Sequence, residues 1–298
     1  MENKLRGIFV PAVTPFDDEG GVDLRRMEKI FEKWRKTGLS GMMVLGTNGE
    51  SRHLSDRESL SVAEAAVEYK GDKTLIVGAG RESLRTTLDF VASLERLMED
   101  IDYLSIMTPS FYAKQMTDQA LHSYYVTLAE HCPVPILLYM APSYANGVTI
   151  SPELAAALAG HPNIAGIKDT SPDQMEALMA KAGCREDFSV LAGSVNNLMR
   201  CLDLGGPGGV VSAANYFPEE CAEITRLFFA GDLAGARTAY DRLLPLIRCT
   251  GGSRGIASLK ACMDLLGYDA GRPRLPVLPL ADEEINEMKR RLLEAGKL

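Results

Sequence analysis

The sequence predicts an α/β fold: a (β/α)8 TIM barrel followed by a C-terminal helical extension. Three observations carry the prediction. Short apolar runs of strand length recur along the chain, and helical patterns follow them. The runs are continuous instead of alternating, as strands covered on both faces are. Eight such runs fit within about 230 residues, close to the size of this fold. An open doubly wound sheet is the competitor. Its dinucleotide-binding form needs Gly-x-Gly-x-x-Gly after an early strand, and the sequence has none.

The elements follow in order. Gly7–Thr14 reads as the first strand. Its helix opens after Asp23, an N-cap residue, and carries Met27, Ile30, Phe31 and Trp34 on one face. Gly41–Leu45 is the second strand. Ser55-Asp-Arg-Glu58, a capping-box pattern, opens a helix that runs to about Lys70. Thr74–Gly78 is the third strand, with a helix from Ser83 to Met98; Tyr103–Met107 is the fourth, with a helix from Thr117 to His131. Pro135–Tyr139 is the fifth, and Ser151-Pro152 opens its helix, since proline at the first helical position lacks an N–H that would go unpaired anyway. Ile164–Lys168 is the sixth, followed by Ser171-Pro172 and another helix. Phe188–Ala192 and Gly209–Ser212 complete the set. Helical periodicity continues over Pro218–Ala230, Leu233–Ile247, Ile256–Leu266 and Asp282–Glu294. One of these helices closes the barrel, so residues 1–230 are expected to form it and 231–298 the extension.

Composition excludes several functions. The 298-residue chain is 46% hydrophobic and 24% charged, enough apolar content for a sizeable core. Its net charge is −8 and it has no Lys/Arg-rich run, so a nucleic-acid or anionic-membrane partner has no electrostatic footing. The longest apolar stretch, Val134–Pro142, is far short of the roughly 20 residues of a membrane span, and MENKLRG does not read as a secretory signal. Six scattered cysteines (132, 184, 201, 221, 249, 262) without a Cys-x-x-Cys read as reduced thiols of a cytoplasmic protein. Four histidines show no metal-ligand spacing, and no metal is expected.

In barrels of this kind chemistry sits where strands end. Lys168 closes an apolar run and shares a face with Ile164 and Gly166. Facing the interior, its amine would be desolvated, partly neutral, and able to attack a ketone. Facing solvent or paired with Asp169, it would be structural. Tyr139 likewise ends a strand: a proton-transfer group, or a packed core tyrosine. Gly46-Thr47-Asn48-Gly49 leaves the second strand as a turn whose N–H groups could hold an anion, or as turn chemistry alone. Gly205–Gly209 enters a strand instead of leaving one, which fits a bottom loop better than a phosphate cradle. The basic residues of Arg248–Lys260, with Gly251-Gly252, read as a solvated helix connection.

Together these residues resemble the pyruvate-dependent class I aldolases and lyases grouped with dihydrodipicolinate synthase and N-acetylneuraminate lyase. The marks are Gly7–Phe16, Gly46-Thr-Asn-Gly-Glu50, Tyr139 with Pro142, Gly166-Ile-Lys168-Asp169 and Leu191-Ala-Gly-Ser194. The resemblance implies a Schiff base between Lys168 and pyruvate, with Tyr139 as proton shuttle. It implies Thr47, Asn48 and Gly49 at the keto-acid carboxylate, and Gly193 and Val210 along the pocket. It implies no cofactor beyond the covalent imine on Lys168, an aldehyde as second partner, and a homo-oligomer, dimer or tetramer. Three positions depart from the dihydrodipicolinate synthases: Tyr144 replaces an arginine that grips the aldehyde substrate's carboxylate, Phe111 replaces a relay tyrosine and leaves Tyr112 next to it, and Asn48 replaces a threonine. Asn48, Met116-Thr117 and Gly255-Ile256 are closest to the 4-hydroxy-2-oxoglutarate aldolase-like branch. The expected activity is therefore reversible cleavage of a 4-hydroxy-2-oxo acid, of the 4-hydroxy-2-oxoglutarate or 2-keto-3-deoxy sugar acid type. The alternatives are dihydrodipicolinate synthase or N-acetylneuraminate lyase activity, or a non-catalytic 2-oxo-acid-binding paralogue.

Overall fold

The computed structural model describes residues 5–183, 187–249 and 254–298, and for Cys249 its backbone alone. Cys184, Gly251 and Gly252 lie outside the described residues. Eight strands pair in chain order as a closed barrel: β1 (Gly7–Pro11), β2 (Gly41–Val44), β3 (Thr74–Gly78), β4 (Tyr103–Met107), β5 (Ile136–Met140), β6 (Ile164–Asp169), β7 (Ser189–Ala192) and β8 (Gly208–Val210). The helices are α1 (Leu24–Arg35), α2 (Asp56–Tyr69), α3 (Leu84–Ser93), α4 (Asp118–His131), α5 (Pro152–Leu158), α6 (Met175–Lys181), α7 (Leu198–Asp203), α8 (Pro218–Phe229), α9 (Leu233–Cys249), α10 (Ile256–Leu265) and α11 (Asp282–Glu294). The TIM-barrel prediction is correct.

The chain divides into two compact units. One comprises Met1–Gly7 with Thr74–Val211. It holds β3 to β8, whose core runs through Leu75, Ile76, Val77, Leu104, Ile106 and Ile136 to Leu138. Register is parallel throughout: Met107 opposes Tyr139, Tyr139 opposes Lys168, and Lys168 opposes Leu191. Buried Tyr125 of α4 seals the layer above β4, its hydroxyl donating to the Ile106 carbonyl at 3.4 Å.

The other unit comprises Ile8–Lys73 with Ser212–Leu298. Asp23 caps α1, accepting from the N–H groups of Arg25 and Arg26 at 3.1 and 3.0 Å, and Met27, Ile30, Phe31 and Trp34 are buried as their spacing predicts. The Ser55–Glu58 capping box of α2 is present in both directions.

Two boundaries differ from expectation by three residues or more, those of β1 and α3. β1 ends at Pro11 instead of Thr14, although the Ala12 N–H still reaches the Met43 carbonyl at 2.8 Å. The helix after Ser171-Pro172 starts at Met175. Asp169 Oδ1 accepts from the Ser171 N–H at 2.7 Å, and Ser171 Oγ accepts from the Gln174 N–H at 3.3 Å, so a side-chain-braced turn comes first. α3 stops at Ser93 and gives way to a 3-10 turn over Glu95–Leu97, short of Met98.

Candidate active site

In the first unit, β5 and β6 carry the site. Strand alternation puts Gly166 and Lys168 on one face. Gly166 is obligatory, because a Cβ there would overlap the Ser189 carbonyl oxygen of β7. Lys168 is 3% exposed, which excludes the solvent-facing alternative. Its Nζ stands 4.0 Å from the centroid of the Tyr139 ring, on the register-paired residue of β5. Burial drives the amine down from 10.5 to about 7, so about half of it is neutral at pH 7. Tyr139 is itself buried. Asp169 points to the opposite face, where the Ser171 N–H engages it and burial raises its carboxyl above the ordinary carboxylate range.

Gly193 follows β7 and donates its N–H to the Asp169 carbonyl at 2.7 Å. A Cβ on Gly193 would lie 2.6 Å from that same oxygen and would overlap the Thr170 methyl. Its role is thus to let the backbone pass close behind Lys168-Asp169. Val210 is fully buried in β8.

The loops after β4 and β5 present large aromatic surface. Phe111, Tyr112 and Tyr144 are 75%, 67% and 61% exposed in the single chain. The loop bearing the first two is braced from below. Glu82 accepts from the N–H groups of Ser110 and Phe111 at 2.8 and 2.9 Å, and the Asn146 amide donates to the Ser110 carbonyl at 3.0 Å.

In the second unit, the turn Gly46–Glu50 leaves β2 between two non-glycine residues in the left-handed region, Leu45 (φ 57°) and Glu50 (φ 51°). Thr47 and Asn48 are half-buried, and the Asn48 amide donates to Ser212 Oγ at 2.8 Å. Thr14 Oγ1 donates to the Gly49 carbonyl at 2.7 Å. Glu50 is buried, and its Oε1 pairs with Lys260 Nζ at 2.7 Å.

Lys260 corrects the sequence reading. Arg248 is exposed, and Arg254 pairs with Glu284 at 3.3 Å on the surface, as a solvated connection would have it. Lys260, however, is fully buried. The available signal was its setting, a lysine in the otherwise apolar IASLKACM of α10. The Gly205–Gly209 loop is structural, as expected: Pro207 accepts from the Gly7 N–H at 2.8 Å, and a Cβ on Gly208 would overlap the Gly7 carbonyl.

Among the described residues, no group of three or more His, Cys, Asp or Glu is placed to hold a metal ion. Nor is any helix among them long and apolar enough to cross a membrane.

The model of the dihydrodipicolinate synthetase family matches residues 4–295. The chain belongs to this family. It is similar to the 4-hydroxy-tetrahydrodipicolinate synthase of Acidiphilium cryptum, with 31% identity over 295 residues and 99% of each chain covered. It is also similar to the crystal structure of dihydrodipicolinate synthase from Thermotoga maritima, with 29% identity, a TM-score of 0.91, and 98% and 99% of the two chains covered. To Proteus mirabilis N-acetylneuraminate lyase it is 30% identical, with a TM-score of 0.87 and 99% and 100% covered. As a member of the dihydrodipicolinate synthetase family it is a carbon–carbon lyase of the class I pyruvate aldolase kind.

Proposed function

We propose that the chain reversibly cleaves a 4-hydroxy-2-oxo acid, of the 4-hydroxy-2-oxoglutarate or 2-keto-3-deoxy sugar acid type, to pyruvate and an aldehyde. The observation that carries this reading is the buried Lys168 amine, held near neutrality above the Tyr139 ring. The neutral amine attacks C2 of the 2-oxo acid, and the carbinolamine loses water to give an iminium. Tyr139 carries the protons of that step. The Tyr139 oxygen, having given a proton in forming the iminium, takes one back from the C4 hydroxyl as the C3–C4 bond breaks. The bonding pair moves into the iminium, leaving an enamine and releasing the aldehyde. Protonation at C3 and hydrolysis return the amine and pyruvate. The imine is the electron sink, so this route needs neither a metal nor an organic cofactor.

Thr47, Asn48 and Gly49 are assigned to the keto-acid carboxylate through hydroxyl and backbone N–H donors. Tyr144 favours this branch over dihydrodipicolinate synthesis, because a neutral phenol cannot grip a second carboxylate as an arginine does. The exposed Phe111, Tyr112 and Tyr144 support a homo-oligomer, since aromatic surface of this size is costly to leave in water. Four buried cysteines among the described residues, Cys132, Cys201, Cys221 and Cys262, keep their thiols, which supports a reducing cytoplasmic setting.

The test is incubation with pyruvate and borohydride, followed by peptide mass mapping and an aldehyde screen. A reduced pyruvate adduct on Lys168 is expected. An unlabelled Lys168, or full activity in Lys168→Ala, defeats the reading.

A further inference from the structure

The second unit holds a buried charge that the reaction does not use. Lys260, on α10, brings its ammonium to three oxygens: Glu50 Oε1 at 2.7 Å, the Thr14 carbonyl at 2.8 Å and the Arg272 carbonyl at 3.1 Å. It also lies 4.3 Å from the centroid of the Phe16 ring. The first two oxygens belong to the groups that frame the Gly46–Glu50 turn. Thr14 holds the Gly49 carbonyl through its hydroxyl, and Glu50 ends the turn in a left-handed conformation. The other Glu50 oxygen, Oε2, accepts from the Arg274 N–H at 2.9 Å and meets His53 Nδ1 at 3.2 Å. Arg274 in turn pairs with Glu58 of the α2 capping box at 2.6 Å.

We propose that Lys260 is a positioning residue: with Thr14 and Glu50 it sets the turn so that Thr47 and Asn48 meet the substrate carboxylate already oriented. This rests on the assignment of that turn to the carboxylate.

Two arguments separate positioning from bulk support. A buried ion pair is weak evidence of stabilisation, because desolvation offsets the attraction; what such a pair can supply is geometric specificity. The contacts are also directional. Thr14, 246 residues away in sequence, gives its carbonyl to Lys260 and its hydroxyl to Gly49, so the ammonium and the turn are linked through one residue. An apolar side chain in place of Lys260 could fill the same space but could hold neither oxygen.

The experiment uses two variants of the full chain. Lys260→Met/Glu50→Gln removes both buried charges together, and Thr14→Val removes only the hydroxyl at nearly constant volume. Each is assayed for kcat and for KM toward pyruvate, and for the pyruvate concentration that half-saturates borohydride labelling of Lys168. A rise in KM and in half-saturation of about ten-fold in the double variant and about three-fold in Thr14→Val is expected, with kcat within about three-fold of wild type. Leu292→Ala, a core truncation in α11, serves as a control that lowers the melting temperature while leaving KM unchanged. Folded variants with unmoved half-saturation, or with a loss confined to kcat, overturn the proposal. If the double variant does not fold, Thr14→Val decides alone. Absence of labelling in the wild-type chain overturns the aldolase reading, whereas labelling with unmoved half-saturation overturns only the role of Lys260.

Discussion

Among the described residues two lysines are buried, and their surroundings differ. Lys168 sits at a strand end over a tyrosine ring, and burial drives its amine down to about 7, where it can act as a nucleophile. Lys260 sits on a helix over a phenylalanine ring. Burial again pushes its amine below the ordinary range, but the Glu50 carboxylate beside it pulls the other way. The comparison teaches that burial alone does not mark a catalytic lysine. A carboxylate within ion-pair distance favours the charged form of a buried amine.

The largest effect expected is on Lys168. Lys168→Met should lower turnover at least about 10⁴-fold, to the limit of the assay, because the proposed route forms its imine on that amine. The same variant should be more stable than wild type. The folded amine releases its proton near 7 and the unfolded one near 10.5, so the unfolded chain binds more protons between those values and wild-type stability climbs with pH there. The cost of burying this lysine is therefore complete below about pH 7 and gone above about 10.5. At about 1.4 kcal/mol per pH unit, the gain in Lys168→Met has an upper bound of about 5 kcal/mol at neutral pH and should vanish toward pH 10.5. Urea unfolding at several pH values measures it. A gain independent of pH would break the contrast with Lys260.

Next comes the ion pair. Lys260→Met alone leaves Glu50 buried without its cation and should cost about 3–5 kcal/mol. Adding Glu50→Gln should restore much of that. Chemical denaturation of the single and double variants gives the coupling directly. Tyr139→Phe should reduce kcat by about 10²–10⁴-fold while the chain stays folded, as loss of a proton carrier predicts. The second-order rate constant of imine trapping, measured at sub-saturating pyruvate, should rise with pH through a midpoint near 7, the value of the free Lys168 amine. A midpoint near 10 would show that the amine is solvated after all. The smallest effect is expected for Asn48→Ala. It removes one amide already held by Ser212 and should raise pyruvate KM by about two- to five-fold, read from initial rates.

What the sequence discloses follows from how local the cause is. β3 and β4 match their apolar runs residue for residue, and the caps at Asp23, Ser55 and Thr117 are each followed by the expected helix, since capping is chemistry within three residues. The buried, strand-end placement of Lys168 and Tyr139 is legible because strand alternation and the ends of apolar runs are local as well. The start of α6 is less legible, because the Asp169 carboxylate and the Ser171 hydroxyl brace a turn before the helix begins. Lys260 is misread for a deeper reason. Its burial is explained by oxygens on Thr14 and Glu50, far away in the chain, and no window around α10 contains them. Gly166 and Gly193 show the same limit in milder form. Each is visible as a glycine, but the carbonyl that forbids a side chain belongs to a different strand.

The tether between α10, Arg274 and the Gly46–Glu50 turn also bears on how far this chain can be trimmed. A minimal barrel cut near residue 230 would keep Lys168 and Tyr139, yet it would leave the Glu50 carboxylate buried with neither its ammonium nor the Arg274 N–H. The terminal helices are thus not packaging that an engineer could discard. They are the far half of a scaffold whose near half lies within the first sixty residues, so the two ends of the polypeptide must be present together before the turn can take its shape.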